Sequence, residues 1–260
     1  MYNNNRNIHD KYVCYCRKKS LEKRRENKMT ASHWYGKTKY PNDYTTDKEY
    51  RDFLERNGKD YLAETQQHIV KYGVQQWIRS YQNRDLSGDL LLWEVFKEKL
   101  IKSGDTILDV GCNCGHHCFR MCFEGYKAIG LEPSISLVVW AKEFAHQNNI
   151  QNVNFIVATA NDLPALNLDI DIVFTKHTLE HYSNPLQALV NFRQVAKYGI
   201  CGIVPNEEDK HEFRGNGQHL WRFSEKVLQK LLKEAQYSEY YTKVIHVSGD
   251  TPKLGYWAKI

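Results

Sequence analysis

Ile107-Leu108-Asp109-Val110-Gly111-Cys112-Asn113-Cys114-Gly115 is the stretch that decides the fold. A short apolar run ends in an acid and a glycine-bearing turn, and the chain then enters a helix-length segment. Glycine permits the tight turn and the close approach of a ligand to the backbone, while a helix N-terminus offers free N–H groups. Twenty-one residues past Gly111, at the end of the next apolar run, stands Glu132 in Gly130-Leu131-Glu132-Pro133-Ser134. A carboxylate there can accept hydrogen bonds from ribose hydroxyls, the geometry that dinucleotide folds use.

The pattern continues outward from this unit. Apolar runs at 106–110, 127–131, 153–157, 170–174, 199–204, 241–247 and 254–260 predict strands, and the stretches 115–125, 135–148, 184–197 and 224–236 between them predict helices. Such alternation predicts a mainly parallel α/β sheet with helices on both faces, whose ligands bind outside the carboxyl ends of the strands.

These residues resemble motif I and the acidic loop of the class I S-adenosylmethionine-dependent methyltransferases. Val157-Ala158-Thr159-Ala160-Asn161-Asp162-Leu163-Pro164 is similar to that family's adenine-side loop, and Asp171 to Pro185 is similar to its fourth-strand motif. Ile203-Val204-Pro205-Asn206 and His219-Leu220-Trp221-Arg222-Phe223-Ser224 resemble the small-molecule branch, the ubiquinone-biosynthesis type and methyltransferase types 11 and 23. The motifs stand in the family's order over residues 85–260.

The resemblance implies a Rossmann-like seven-stranded sheet and S-adenosylmethionine as cofactor. It implies that Asp109, Gly111, Cys112 and Gly115 surround the methionine end, that Glu132 with Pro133 holds the ribose, and that Ala160 and Asn161 lie beside the adenine. Thr175 and His177 would face the sulfonium and the acceptor. Two departures stand out: Asn113 occupies the place of the middle glycine, a substitution that Asn tolerates through its access to positive φ, and Thr159 replaces the acid that often meets the adenine amino group. A nicotinamide enzyme is the rival, but residues 111–117 do not spell G-x-G-x-x-G.

Methyl transfer from a sulfonium is an in-line displacement on an activated carbon. It needs alignment and water exclusion, with a general base only when the nucleophile must lose a proton. His177 and His181 are the candidate catalytic residues. His177, Glu180 and His181 are spaced to share one helix face, and two imidazoles with a carboxylate suit a divalent metal. Methyltransferases of ubiquinone biosynthesis carry a metal-linked acidic version of this segment, matched here at Glu180 and His181 but not at His177. The preferred expectation is nonetheless no metal, with Leu179-Glu180-His181 opening the helix after the fourth strand. His211, Arg214, His219 and Trp221, beyond the fifth strand, are the candidate acceptor-binding residues.

Four of the seven cysteines crowd into 112–122. Cys112 and Cys114 belong to the turn, whereas Cys118 and Cys122 fall one helical turn apart, so packing is expected and a cluster is not. The odd count and this layout also argue against a disulfide framework and for a reducing, cytoplasmic setting.

The chain has 260 residues, 42% hydrophobic and 26% charged, with net charge +5. Residues 1–28 hold nine Lys/Arg against three acids, a local +6 that leaves the remaining 232 residues at −1. Residues 1–30 are therefore expected to be a basic solvated arm, 31–103 a helical and aromatic cap with helices near 60–82 and 88–102, and 104–260 the catalytic core. Trp34, Tyr35, Tyr40 and Tyr44 either line a lid or pack the cap on the core. No apolar run approaches the roughly 18 residues of a membrane helix, and 12–16 is too short for a secretory signal. Met29 is a possible alternative start. The expected acceptor is an oxygen or nitrogen of a small metabolite or glycan precursor. The alternatives are an RNA or protein acceptor docked on the arm at 17–28, and a non-catalytic cofactor-binding partner subunit.

Overall fold

The computed structural model describes residues 87–206, 219–246 and 252–260. The expected arm, most of the expected cap with its 60–82 helix and lid aromatics, and His211 and Arg214 all lie outside the described residues.

The first described element is helix α1 (Ser87–Lys99). There follow β1 (Thr106–Val110), α2 (His116–Phe123), β2 (Lys127–Glu132), α3 (Ile135–Gln147), β3 (Val153–Val157), β4 (Ile170–Lys176), α4 (Pro185–Val195), β5 (Ala196–Pro205), α5 (Glu225–Glu234), β6 (Glu239–Ile245) and β7 (Lys253–Lys259). The seven strands form one sheet in the order β3-β2-β1-β4-β5-β7-β6. β1 to β5 are parallel, and β7 inserts antiparallel between β5 and β6. The fold class is the expected one, and element ends move by a few residues. The largest changes are three residues each: β5 begins at Ala196 rather than 199, and α1 ends at Lys99 rather than 102.

Strand alternation sorts the side chains into two cores, one on each face. Ile107 packs with α1, α2 and α3, alongside Phe96, Phe119, Trp140 and Phe155. Leu108 and Val110 point the other way, into a core with Leu189 and Phe192 of α4 and Leu228 and Leu232 of α5. Each such fully buried side chain contributes about 1.5–3 kcal/mol by leaving water, so neither layer of helices can detach cheaply. The helices start where the sequence provides caps. Ser134 Oγ accepts from Leu137 N at 3.4 Å, Asn184 Oδ1 from Gln187 N at 3.1 Å, and Ser224 Oγ from Val227 N at 3.4 Å.

One expectation is corrected here. The helix after β4 does not open at Leu179: residues 179–181 make a single 3₁₀ turn, and α4 begins at Pro185 behind its Asn184 cap. Proline suits the first helical position and Asn184 the cap, so the helix start is set there rather than six residues earlier. No helix among the described residues is long and apolar enough to cross a membrane.

The connections place the site. The chain runs β1, β2, β3 toward one edge, then crosses back to β4 and β5 on the other side of β1. The carboxyl ends of β1 and β4 therefore diverge into different loops, and the crevice between them is where ligands of such sheets bind. Val110 is in register with Leu131 on one side and Thr175 on the other, which aligns the three loop starts.

Candidate active site at the carboxyl edge of the sheet

The β1–α2 turn is wound by three left-handed residues, Gly111 (φ 75°), Asn113 (φ 53°) and Gly115 (φ 80°). Asn113 thus adopts the conformation of the glycine it replaces, and its Oδ1 accepts from Cys114 N at 2.8 Å. Gly111 N and Cys112 N donate to Leu131 O at 2.8 and 3.1 Å, and Gly115 N donates to Cys112 O at 2.9 Å. A Cβ on Gly115 would come within 2.6 Å of the Phe155 ring, so both the backbone and the packing require glycine there.

Glu132 closes the turn from β2. Its Oε2 accepts from Asn113 N at 3.0 Å and its Oε1 from Ser134 N at 3.1 Å. Burial raises its carboxyl to about 7, against the pull of these two N–H bonds. Each carboxylate oxygen has a further lone pair, so the group can still accept from a ribose diol. Asp109, at the same edge, is buried and is also raised to about 7, chiefly by desolvation, with the neighbouring Glu132 acting in the same direction. The Cys118 thiol donates to Asp109 Oδ2 at 3.6 Å. Asp109, Gly111, Cys112, Gly115, Glu132 and Pro133 are thus brought to one place, and this cradle fits the implied nucleoside cofactor.

The cysteines are free among the described residues. Burial pushes Cys112 up to about 11 and Cys114 up to about 12, so both stay as neutral thiols, in keeping with packing.

The loop after β3 is closed by Asp162, whose Oδ2 accepts from Thr159 N and Thr159 Oγ1, each at 2.7 Å. Thr159 therefore spends its hydroxyl within the loop. Ala160 is buried, its carbonyl accepting from Asn191 Nδ2 at 3.0 Å, whereas the neighbouring Asn161 is exposed.

Beyond β4 the placement differs more from expectation. The Thr175 side chain does not reach the crevice; it is fully buried and its Oγ1 pairs with Tyr256 Oη of β7 at 2.6 Å. The period of two along β4 turns it with Val173 toward the α4 and α5 layer, so only its backbone lies at the edge. Thr178 Oγ1 donates to Val110 O at 3.1 Å, tying the end of β4 to the end of β1. His177 is left-handed (φ 49°), donates its N–H to Ile203 O at 2.8 Å, and places Nδ1 3.2 Å from Glu180 Oε1.

Glu180 is 1% exposed, its Oε2 is buried without a hydrogen-bond partner among the described residues, and His177 holds its carboxyl below the usual range although burial alone would raise it. The His219 segment is fastened to the same turn: Leu220 N and Trp221 N both donate to Glu180 O, at 2.7 and 3.1 Å, and Trp221 Nε1 donates to Ser183 O at 3.3 Å. The His181 and His219 rings meet edge to face at 5.1 Å. One ligating atom each from Glu180, His181 and His219 lies within 4.8 Å of the others. The trio expected on a helix face is thereby corrected. His177 is outside it because the backbone there is left-handed and then 3₁₀ rather than α-helical, and His219 from another segment takes its place.

Sequence reasoning missed a buried ionic cluster. Lys253 Nζ donates to Asp89 Oδ1 at 2.9 Å and Lys176 pairs with the same carboxylate, joining α1 to the ends of β4 and β7. The two cations hold Asp89 below the usual carboxylate range even though burial opposes it. A lysine closing one apolar strand and another opening a second was the only signal.

Residues 101–246 match a family described as a methyltransferase domain, which is more than half of the chain, and the chain belongs to that family, within the class I S-adenosylmethionine-dependent methyltransferases. Among curated proteins, tRNA U34 carboxymethyltransferase of Pseudoalteromonas translucida is 31% identical over 97 residues, covering 37% of this chain. The match spans only 30% of that relative's length. Two solved structures share the fold. A SAM-dependent methyltransferase from Aquifex aeolicus is 24% identical with a TM-score of 0.52, covering 65% of this chain and 89% of its own. The magnesium protoporphyrin IX methyltransferase of Synechocystis PCC 6803, solved with bound SAM, is 15% identical with a TM-score of 0.52, covering 84% and 94%.

Proposed function

We propose that this chain transfers the methyl group of S-adenosylmethionine to an oxygen or nitrogen of a small metabolite or glycan precursor. The observation that carries the proposal is the turn with three left-handed residues, locked to a buried carboxylate, Glu132, at the carboxyl ends of β1 and β2. When bound, S-adenosylmethionine supplies a methyl group already activated on a sulfonium. Glu132 accepts from the ribose, Gly111, Cys112 and Gly115 give the methionine end close access to the backbone, and Asp109 faces the same end. Ala160 borders the adenine from inside the fold and Asn161 from its exposed side, while the Thr175 backbone lines the crevice. His177 and His181 stand on the acceptor side, with His219 and Trp221 beside them; His211 and Arg214 complete the expected acceptor set. The chain's main contribution is alignment, which is worth several kcal/mol when reacting atoms are held in line.

The test is a calorimetric titration with S-adenosylhomocysteine, followed by incubation of host extract with methyl-labelled cofactor and mass spectrometry of small molecules, RNA and protein. Saturable binding lost in Gly111→Arg, with label in the small-molecule fraction, is expected. No binding at millimolar ligand would sink the proposal. Binding without turnover on any fraction would indicate a cofactor-binding partner subunit instead.

The tRNA-named relative and the nine Lys/Arg in residues 1–28 favour a second reading, an RNA acceptor held by the basic arm. Deleting residues 1–28 separates the two. Loss of both RNA binding and label transfer to RNA supports the second reading, and unchanged small-molecule labelling supports the first.

A further inference from the structure

We propose that β6, at the open edge of the sheet, is a dimerisation surface that pairs antiparallel with β6 of a second copy of this chain, about a two-fold axis at Tyr241. β6 (Glu239–Ile245) ends the strand order, so among the described residues β7 is the one strand it pairs with. Alternate residues of such an edge turn their N–H and C=O groups outward, a template for another strand that proteins commonly blunt with proline, a bulge or a lone charge. The α5 layer covers one face of β6, where Thr242 is 5% exposed and its hydroxyl is shared between Gln229 and Glu225. On the opposite face Glu239, Tyr241 and Lys243 stand in a row, and all three are exposed.

That row is complementary to itself. In an antiparallel pairing centred on Tyr241, Glu239 of each copy lies opposite Lys243 of the other, and the two Tyr241 rings meet in the middle. A charge that would repel an arbitrary strand thus selects a second copy of the same strand. Glu239 meets Lys259 of β7 at 2.7 Å, but the side chains are 56% and 41% exposed, so that bond is weak, and the other carboxylate oxygen can accept from the second copy's Lys243. Charge then alternates across the joint, from Lys259 to Glu239 to the Lys243 of the second copy. Tyr241 is 47% exposed yet already stacked on Trp257 at 6.1 Å and 25°, so pairing orders little that is not ordered beforehand. The other edge of the sheet offers no such selection, since β3 (VNFIV) carries no charge. Each copy has one β6, so the contact closes at two. A joint of seven residues a side falls below the roughly 1,200 Å² at which stable interfaces begin, and a dissociation constant of about 10–100 μM is expected. The proposal is independent of the methyl-transfer reading.

The experiment is sedimentation equilibrium of the full chain at low salt, from about 5 to about 300 μM, in the wild type and in Lys243→Glu and Glu239→Lys. The wild-type mass is expected to climb from 30.6 kDa toward twice that value. Lys243→Glu sets Glu opposite Glu and Glu239→Lys sets Lys opposite Lys, so each should dimerise at least tenfold more weakly. An equimolar mixture of the two variants is the deciding sample, because every Glu there faces a Lys of the other chain; a heterodimer at least as tight as the wild-type dimer is expected, which damage to either fold could not produce. A wild type that stays at 30.6 kDa throughout, a dimer that both charge reversals leave intact, or a mixture that stays monomeric overturns the proposal. Should a variant fail to fold, amide hydrogen exchange of the wild type at the two ends of the concentration range decides. Protection that rises with concentration on β6 alone supports the pairing. Protection that rises on another surface overturns it, and so does a β6 equally protected at both concentrations, which would mean that a segment of the same chain covers the strand.

Discussion

The two halves of the sheet's carboxyl edge are built in different ways. The β1/β2 half comes from one continuous run, residues 109–134, whose parts hold one another: Glu132 binds the backbone of Asn113, and Leu131 receives Gly111 and Cys112. The β4/β5 half comes from separate segments. Glu180 and His181 follow β4, His219 arrives 38 residues later, and Tyr256 and Lys253 come from β7. The first half is a motif, with local spacing as its cause. The second is an assembly, and its cause is the sheet order that lays β7 beside β5. Substitutions should therefore separate into two groups, one moving cofactor affinity and the other moving stability alone.

The largest expected effect is on the first half. Gly115→Val combines a β-branched residue at positive φ with a Cβ 2.6 Å from the Phe155 ring, and should lower stability by about 3 kcal/mol, or about 5–10 °C in thermal melting. A melting point within 2 °C of wild type would show that the turn has slack that its geometry denies. Glu132→Ala comes next. It removes the acceptor that would hold the ribose and the partner of Asn113 N, so S-adenosylhomocysteine affinity should fall about 10- to 100-fold in calorimetry. Unchanged affinity would erase the distinction between the halves.

Beneath the second half, Tyr256→Phe leaves the buried Thr175 hydroxyl without its 2.6 Å partner. A stability loss of about 1–2 kcal/mol is expected in chemical denaturation, and adding Thr175→Val should recover part of it. Additive losses would mean that the hydroxyls act separately.

The smallest effect is a pH dependence of opposite sign for affinity and stability. Burial raises Glu132 from 4.5 to about 7 and Asp109 from 3.8 to about 7. Over that window the folded chain holds protons that the unfolded chain has released, so the contribution of these groups to stability is largest below the unfolded values and is lost as pH rises through about 7. Ribose hydroxyls donate to the ionised carboxylate, so S-adenosylhomocysteine should bind more tightly, by less than tenfold, between about pH 6 and about pH 8. The affinity change should flatten in Glu132→Gln. The stability slope should only be reduced, because Asp109 remains.

The same contrast explains what was legible in advance. Asp109, Gly111, Gly115 and Glu132 were readable because a strand, a turn and a helix start are local events with local signatures, and Asn113 at φ 53° follows from its known tolerance of that region. Cys112 and Cys118 were readable as packing for the same reason, since neither turn nor helix leaves them exposed. Thr175 was misplaced because the residue count locates a strand end without telling which face the last side chain takes. His177, Glu180 and His181 do not share the helix face read for them because the chain makes a left-handed residue and one 3₁₀ turn there. Asp89, Lys176 and Lys253 had no signature beyond the two lysines at strand ends, being brought together only when α1 lies across the ends of β4 and β7.

The sequence by itself determined the parallel α/β core, its capped helices and the turn closed by Glu132, because hydrophobic period, caps and glycine positions act over a few residues. Only the tertiary structure decided the partner of Thr175, the ionic cluster under α1 and the meeting of His219 with Glu180 and His181. Those contacts join residues distant in the chain, and their distances depend on strand order and on backbone hydrogen bonds such as those from Leu220 and Trp221 to Glu180, which no local pattern encodes.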